Sequence, residues 1–563
     1  MFRRLSVLSA AVLAFVAVPS AQSPAGPSLA DLKTTAEATD YKSTSSYEDV
    51  VTFMNTVAKA SPIITYTTYG TTTEGRPMPM AVVGTGLKGI TPADVKATGK
   101  LRVHIQANIH SGEVEGKEAT LVLLREFAMG QHKDWLQNIV FLVTPIFNAD
   151  GNEKISMTSR PRQNGPINGQ GTRAAGLGLN INRDFTKLET PEARAFVTLW
   201  NEYDPHVGFD LHTSDGSTHG YYLTYAPGLN PNTPSAILDI QKNDWFPAIT
   251  KEIKAKHGWD TFYYGNVSGG NRGGGRGGRG GAPGAPQPEV VGAPIPAAPA
   301  PPQVWATFEH VPRFHNNYVG LRNRFALLSE AFAYATFKDR ILATNYFMEA
   351  ALNYASANAA KLKKACETAD AEMVAGKTLA TRAKIKRDGM VTILMGEVED
   401  EVNPNNGAHM NRRVAVTTPV EMVNGLWFEP SATEVAPAEY YIPATATKAI
   451  ELLKRHGIQM RTLTAPIPAA GVEEFAITAN TQGRINPASI DFGTHGLRTL
   501  EGSWQASTTA IPAGSYAVSL KQPLGRLAFY LIAPTSDDGV VAWNFEDDLL
   551  GDGAKTAPIW RKK

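Results

Sequence analysis

The sequence predicts an α/β protein, a doubly wound, mostly parallel mixed sheet, followed by a C-terminal β-rich domain. Three observations carry this. Apolar runs with the texture of buried strands recur along the first part of the chain: LRVHIQANI (Leu101–Ile109), NIVFLVTP (Asn138–Pro145), HVGFDL (His206–Leu211) and RFALLSE (Arg324–Glu330). Helical stretches fall before and between them, over Thr44–Ala60, Val114–Met129, Thr190–Tyr203 and Ser235–His257, and alternation of strand and helix is the mark of a parallel sheet. From Thr392 the texture changes to short apolar stretches, SYAVSL and RLAFYLIAP among them, separated by Gly, Pro, Asn and Asp, with one helix expected at Thr445–His456.

The elements follow in order. Ile64–Gly70 and Met78–Gly84 read as an antiparallel pair at the sheet edge, joined by the turn TTTEGRP. The Leu101–Ile109 strand stops at His110-Ser111-Gly112-Glu113, and the helix after it has Glu113 and Glu115 near its positive end. A long loop from Asn148 to Leu179 holds NADGN and SRPRQNGP, a length that is uncommon in compact domains unless the loop is functional. Thr190 caps the next helix and Pro191 occupies its first turn. A long helical region is expected over Ala331–Met373.

A chain of 563 residues needs more than one core. The expected division is a signal peptide at 1–21, an N-terminal segment at 22–43, a catalytic α/β domain at 44–380 and the β-rich domain at 381–563. The leader has Arg3 and Arg4, an apolar run from Leu5 to Val18, and Ser20 and Ala21 before a mature start near Gln22, so the expected location is periplasmic or secreted. No other run approaches the ~20 apolar residues of a membrane span, and insertion into a membrane is not expected. With 54 basic and 53 acidic side chains the formal charge is +1, which gives no electrostatic case for nucleic acid as partner. The sequence is silent on oligomeric state. Cys366 is the only cysteine, which excludes an intrachain disulfide and suits a small packing residue. Residues 271–303 form a Gly/Pro-rich, low-complexity stretch read as a flexible insertion.

A histidine and a glutamate three residues apart, lifted off a strand end by a glycine-containing turn, can aim at one point beyond the sheet. Zinc takes imidazole nitrogen and carboxylate oxygen at about 2.0–2.2 Å, and a catalytic site needs three protein ligands and one open position. His212, ending the run HVGFDLH, is the best third ligand for His110 and Glu113. His409, His456 and His495 are expected to be surface or structural.

These pieces resemble, in their order along the chain, the zinc metallocarboxypeptidases, the carboxypeptidase A/B-like peptidases, and the whole looks like a bacterial exported member. The matching motifs are HSGE (His110–Glu113), NADG (Asn148–Gly151), NRD (Asn182–Asp184), DLH ending at His212 and SE (Ser329–Glu330), within about Thr44–Arg340. The resemblance implies one zinc per chain on His110, Glu113 and His212, with Glu330 as general base and acid beside a zinc-activated water. It implies that Asn182 and Arg183 hold the terminal carboxylate of a peptide or protein substrate. It also implies an arginine that polarises the scissile carbonyl, Arg160 in preference to Arg162, and a tyrosine that covers bound substrate, Tyr264 or Tyr318.

Two departures stand out. Many relatives carry an acid where this chain has Asn180, which makes the partnered histidine less basic and predicts weaker zinc binding. The insertion at Asn271 falls where substrate preference is shaped, so that preference is unreadable. The expected function is an exported zinc-dependent metallopeptidase that removes C-terminal residues. Its rivals are a related zinc amidohydrolase or endopeptidase acting on cell-wall peptides or acyl-amides, and an inactive peptide- or glycan-binding homologue, against which the complete set of ligands and Glu330 counts.

Overall fold

A computed structural model describes residues 28–268, 302–551 and 553–562; the leader and all but the last two residues of the 271–303 insertion lie outside them. The first ten strands are β1 (Ile64–Thr71), β2 (Pro77–Val83), β3 (Leu101–Ala107), β4 (Ile139–Thr144), β5 (Val207–Ser214), β6 (Leu223–Ala226), β7 (Thr261–Tyr263), β8 (Asn266–Ser268), β9 (Val304–Ala306) and β10 (Phe325–Phe332). Eight of them make the central sheet in the order β1-β2-β4-β3-β5-β10-β6-β7. The β4-β3-β5-β10 centre is parallel, while β1, β2 and β6 introduce antiparallel pairings towards the edges.

Dense apolar runs make this centre because its strands are covered on both faces. On β3, Leu101, Val103, Ile105 and Ala107 join one core cluster, while the alternate residues His104 and Gln106 are also fully buried and hydrogen-bonded, with Gln106 Oε1 left without a partner among the described residues. His104 Nε2 meets Thr144 Oγ1 at 3.0 Å, its Nδ1 accepts the Trp200 indole N–H at 3.0 Å, and Gln106 donates to Asp210 at 3.1 Å. The neighbours β4 and β5 flank β3 on opposite sides, so the chain changes winding direction there. Such a switch opens a crevice beyond the carboxyl ends of the strands.

The helices are fixed by local chemistry at their ends. Ser46 and Asp49 form a capping box on Tyr47–Ala60. Thr190 Oγ1 accepts the Ala193 N–H at 3.1 Å at the start of Pro191–Tyr203, and Asp204 ends that helix at φ 49°. Ser235–His257 is helical throughout, with one wider π turn at Gln241–Trp245. The helical region expected from Ala331 instead begins at Phe337, because β10 runs on to Phe332 with Ala331 and Phe332 in register with Thr213 and Ser214. Cys366 is buried, its thiol pushed up to about 12 by burial, which makes it the inert packing residue expected.

Beyond residue 377 come β11 (Thr378–Lys386) and the long hairpin of β12 (Met390–Val402) and β13 (His409–Gly425). β13 pairs parallel with β9, giving a four-stranded sheet of order β12-β13-β9-β8 that crosses residue 380. A separate six-stranded sheet carries most of the remaining strands. The expected helix is present as Thr447–Arg455, but RLAFYLIAP, grouped with the β-rich stretches, forms a second helix at Gly525–Ile532. All eight residues of that helix are buried, and a run apolar on every side shows no period by which helix and strand differ. One core cluster unites Phe185, Phe196 and Tyr318 with Leu453, Leu527 and Phe529. Among the described residues no helix is long and apolar enough to cross a membrane.

Candidate metal centre and active site

The crevice beyond β3 is lined by a turn with little freedom. Asn108 takes φ 63° directly after the strand, its amide donates to the Glu113 carbonyl at 3.3 Å, and the Glu113 N–H closes on the His110 carbonyl at 2.8 Å. Gly112 is required by close approach: a Cβ there would lie 2.7 Å from Arg160 Cδ and 3.0 Å from the Gly171 carbonyl oxygen. The helix Glu115–Ala128 then leads away, and its first turn leaves Glu113 facing the crevice.

His110, Glu113 and His212 are buried, and one ligand atom from each lies within 4.8 Å of the others. Glu113 presents Oε1 to His110 Nδ1 at 3.0 Å and Oε2 to His212 Nδ1 at 2.8 Å. The far nitrogens are occupied elsewhere: His212 Nε2 meets Asp210 Oδ2 at 2.8 Å and His110 Nε2 meets Asn180 Oδ1 at 3.1 Å. Both partners accept from Nε2, which turns both Nδ1 atoms towards Glu113; burial opposes the charge on His212, but Asp210 and Glu113 outweigh it and hold that imidazole well above its ordinary value. Burial, with Arg173 adding to it, pushes His110 down to about 3, which leaves a neutral imidazole able to ligate. Burial opposes ionisation of Glu113, but His110 and Arg160 outweigh it and hold the carboxyl well below its ordinary value. Two imidazole nitrogens and one carboxylate suit zinc, so the donor set fits the ion that the motifs imply.

His212 and Glu330 are register partners on the parallel strands β5 and β10. Neither ends its strand: each is followed by two further strand residues, because the pairing continues past the site. Among the described residues no hydrogen bond or ion pair holds the Glu330 carboxyl, and burial pushes it up to about 8, with Glu113 adding to the rise and His212 and Arg160 opposing it. Tyr264 is nearby, its hydroxyl raised by burial and then by the Glu330 carboxylate, and it accepts a hydrogen bond from Asn266 Nδ2 at 3.1 Å.

Of the two arginine candidates, Arg160 is at the site. It takes φ 48° and is held by hydrogen bonds to Gln163 Oε1, Glu113 Oε1 and the Thr213 carbonyl at 2.8, 2.9 and 3.0 Å. Arg162 is exposed and turned towards β13, where Nη1 donates to Asn411 Oδ1 at 3.3 Å, so it is not brought to the metal ligands. Tyr318 is likewise not brought there. It is fully buried in the helix His315–Leu321, with its hydroxyl 2.9 Å from His456 Nδ1, a structural contact between the two regions of the chain.

Asn182 accepts the His315 N–H at 3.0 Å and points Nδ2 at His212 Nε2, 3.4 Å away. The half-buried Arg183 lies 3.7 Å over the Phe314 ring. Burial, and then Arg173, lower its guanidinium to about 10, against the opposing charges of Asp491 and Glu309.

Sequence reasoning missed three residues. Asp210 was legible, since a side chain two positions before His212 on a strand shares its face. Arg173, with Nη1 3.3 Å from His110 Nδ1 and 3.5 Å from Glu113 Oε1, sits in a long loop with no periodic signal. Asp491 belongs to the C-terminal region and reaches the Asn180 amide at 2.7 Å.

Two imidazoles and a carboxylate at the switch point of a mixed sheet, with the Glu330 carboxyl beside them, define an α/β protein with a candidate metal site. Residues 50–216 match the profile of the zinc carboxypeptidase family. The segment holds all three candidate ligands, whereas Glu330 and Asp491 lie beyond it. Carboxypeptidase 2 of Trichophyton rubrum is 26% identical over 165 residues, 28% of this chain and 27% of that protein. Probable carboxypeptidase 2 of Arthroderma benhamiae is 25% identical over 177 residues, covering 29% and 30%. The chain thus spans only about 30% or less of the length of these curated relatives. A metallo-carboxypeptidase from Burkholderia cenocepacia superposes over 56% of this chain and 70% of its own at 16% identity, with a TM-score of 0.39.

Proposed function

We propose that this chain is a zinc-dependent metallopeptidase that removes residues from peptide C-termini. The observation that carries the reading is the convergence of His110, Glu113 and His212, with Glu330 in register beside His212 and free of any ion pair among the described residues. Zinc held by those three residues would lower the pKa of a bound water and polarise a carbonyl. Glu330, in its ionised form, takes the proton from the attacking water and delivers it to the leaving amine. Arg160 offers a guanidinium beside Glu113, where negative charge develops on the substrate carbonyl oxygen, and Arg183 offers one to the terminal carboxylate. Tyr264 closes over the substrate from the Glu330 side. Export by a bacterial host, with a mature start near Gln22, is part of this reading and is checked by sequencing the N-terminus of the exported product.

The test combines metal analysis with a digest of matched peptides carrying free and amidated C-termini. We expect one zinc per chain and stepwise shortening of the free peptide. Hydrogen bonds to charged groups contribute about 1.5–3 kcal/mol, so amidated peptides should be cut on the order of 10–100-fold more slowly. Equal rates on both peptides, or internal products, would overturn the carboxypeptidase reading in favour of an endopeptidase or amidase.

A further inference from the structure

Asn180 stands where an acid was expected behind His110, yet the structure shows an acid one step further out. The Asn180 amide accepts from His110 Nε2 through Oδ1 at 3.1 Å and donates through Nδ2 to Asp491 Oδ1 at 2.7 Å. The orientation of the amide is fixed by its partners, because Asp491 can only accept when ionised and the Asn182 N–H also donates to Asn180 Oδ1 at 3.1 Å. The contact is built on both sides. Asn180 N–H donates to the Ile490 carbonyl at 2.8 Å, Lys187 Nζ reaches the Asp491 carbonyl at 3.4 Å, and His495 Nε2 lies 2.8 Å from Glu189 Oε1. A backbone bond and two side-chain contacts therefore seat residues 490–495 on the loop that backs His110.

We propose that Asp491, supplied by the C-terminal region, is a positioning residue for the metal centre, acting through the Asn180 amide on the ligand His110. A carboxylate accepting from one end of an amide polarises it and strengthens the bond accepted at the other end, by about 10–30% per bond. The imidazole is thereby held in one tautomer, with Nδ1 towards the metal, as a direct carboxylate would hold it. Burial raises the Asp491 carboxyl, but Arg183, the Asn180 amide and Arg173 outweigh it and keep the group below its ordinary value, consistent with an ionised acceptor. The inference rests on the zinc reading above, and it makes the C-terminal region a part of the active site.

The test uses the full-length protein and reads zinc affinity directly, by competition with a chromophoric chelator and with no peptide present. Wild type is compared with Asp491→Ala, with the isosteric Asp491→Asn in case alanine disturbs folding, and with the double variant Asn180→Asp/Asp491→Ala. Loss of an outer partner of a metal histidine weakens binding by roughly 10–100-fold, and action through an intervening amide places the expected loss near about tenfold. The double variant puts a carboxylate directly on His110 Nε2 and should recover most of that loss, which a merely structural role for Asp491 would not allow. Wild-type affinity in both single variants, or a loss that the double variant leaves unrepaired, would overturn the proposal. A wild-type protein without saturable zinc binding would instead overturn the metal reading itself.

Discussion

His212 takes its orienting carboxylate from its own strand, whereas His110 takes an amide from a loop whose far side is tied to the C-terminal region. On the first side everything is sheet. Asp210 and His212 are two residues apart on β5 and share a face, Gln106 on β3 donates to Asp210, and His315 Nδ1 lies 3.6 Å from the same carboxylate. On the second side nothing is regular: His110 follows a turn, Asn180 begins a short helical turn, and Asp491 is 311 positions further along the chain than Asn180. Strand periodicity supplies a ligand and its partner together, while a loop-borne ligand depends on whatever docks against the loop.

Four changes would break or sharpen that contrast. The largest concerns Glu330, which belongs to neither device. Glu330→Gln should leave zinc bound on both histidines and lower kcat by about 10⁴-fold, the upper end of general acid–base contributions, because in the proposed mechanism one carboxyl serves both proton transfers. Steady-state kinetics with metal analysis checks this; near-normal turnover would remove Glu330 from the mechanism, and lost zinc would make it a ligand.

Next comes Asp210→Asn. His212 and His315 outweigh burial and push this carboxyl down to about 2, so the strand side loses a full charge in direct contact with the imidazole. Zinc affinity should fall by roughly 100-fold, the upper end for such partners, and further than in the Asp491 variants. Equal losses in the two would abolish the distinction between a direct and a relayed carboxylate.

Acid should strain both sides. Burial pushes His104 on β3 and His456 at the interface between the regions down to about 3. The unfolded chain therefore takes up protons below pH 6.5 that the native state refuses, and stability is lost as pH falls from 6.5 towards 3. At pH 5.5 each such histidine removes about 1.4 kcal/mol. His456→Gln should flatten the acid limb of the unfolding free energy by that amount while leaving the part due to His104; an unchanged pH slope would show that His456 is not excluded from protonation.

The smallest effect expected is that of Tyr318→Phe, which removes the hydroxyl bonded to His456 Nδ1. About 1 kcal/mol of stability should be lost by denaturant unfolding, with kcat unchanged. A selective loss of kcat would return Tyr318 to the active site.

How much was legible follows the same division. The parallel centre of the sheet, its edge hairpin and the convergence of His110, Glu113 and His212 could be read because buried strands and capped helices leave dense or periodic patterns. His212 and Glu330 were placed at strand ends because the sequence offers turn residues or a helical texture there, while the pairing of Ala331 and Phe332 with Thr213 and Ser214 comes only from the assembled sheet. Tyr318 was one of two candidates for the substrate-covering tyrosine that the resemblance implies, and only tertiary packing shows that it is buried along with Asn316 and Asn317. Arg173 and Asp491 had no local signature: their roles come from loop closure and from contacts hundreds of residues apart.

The bonds from the 490–491 segment to Asn180 also set an order in time. At synthesis rates of about 5–20 residues per second, the 311 positions between the two partners take about 15–60 s to make. The strand side of the candidate metal site can form as soon as β3 and β5 pair, but the His110 side stays without its distant carboxylate until residue 491 has been made and the 490–495 segment has docked.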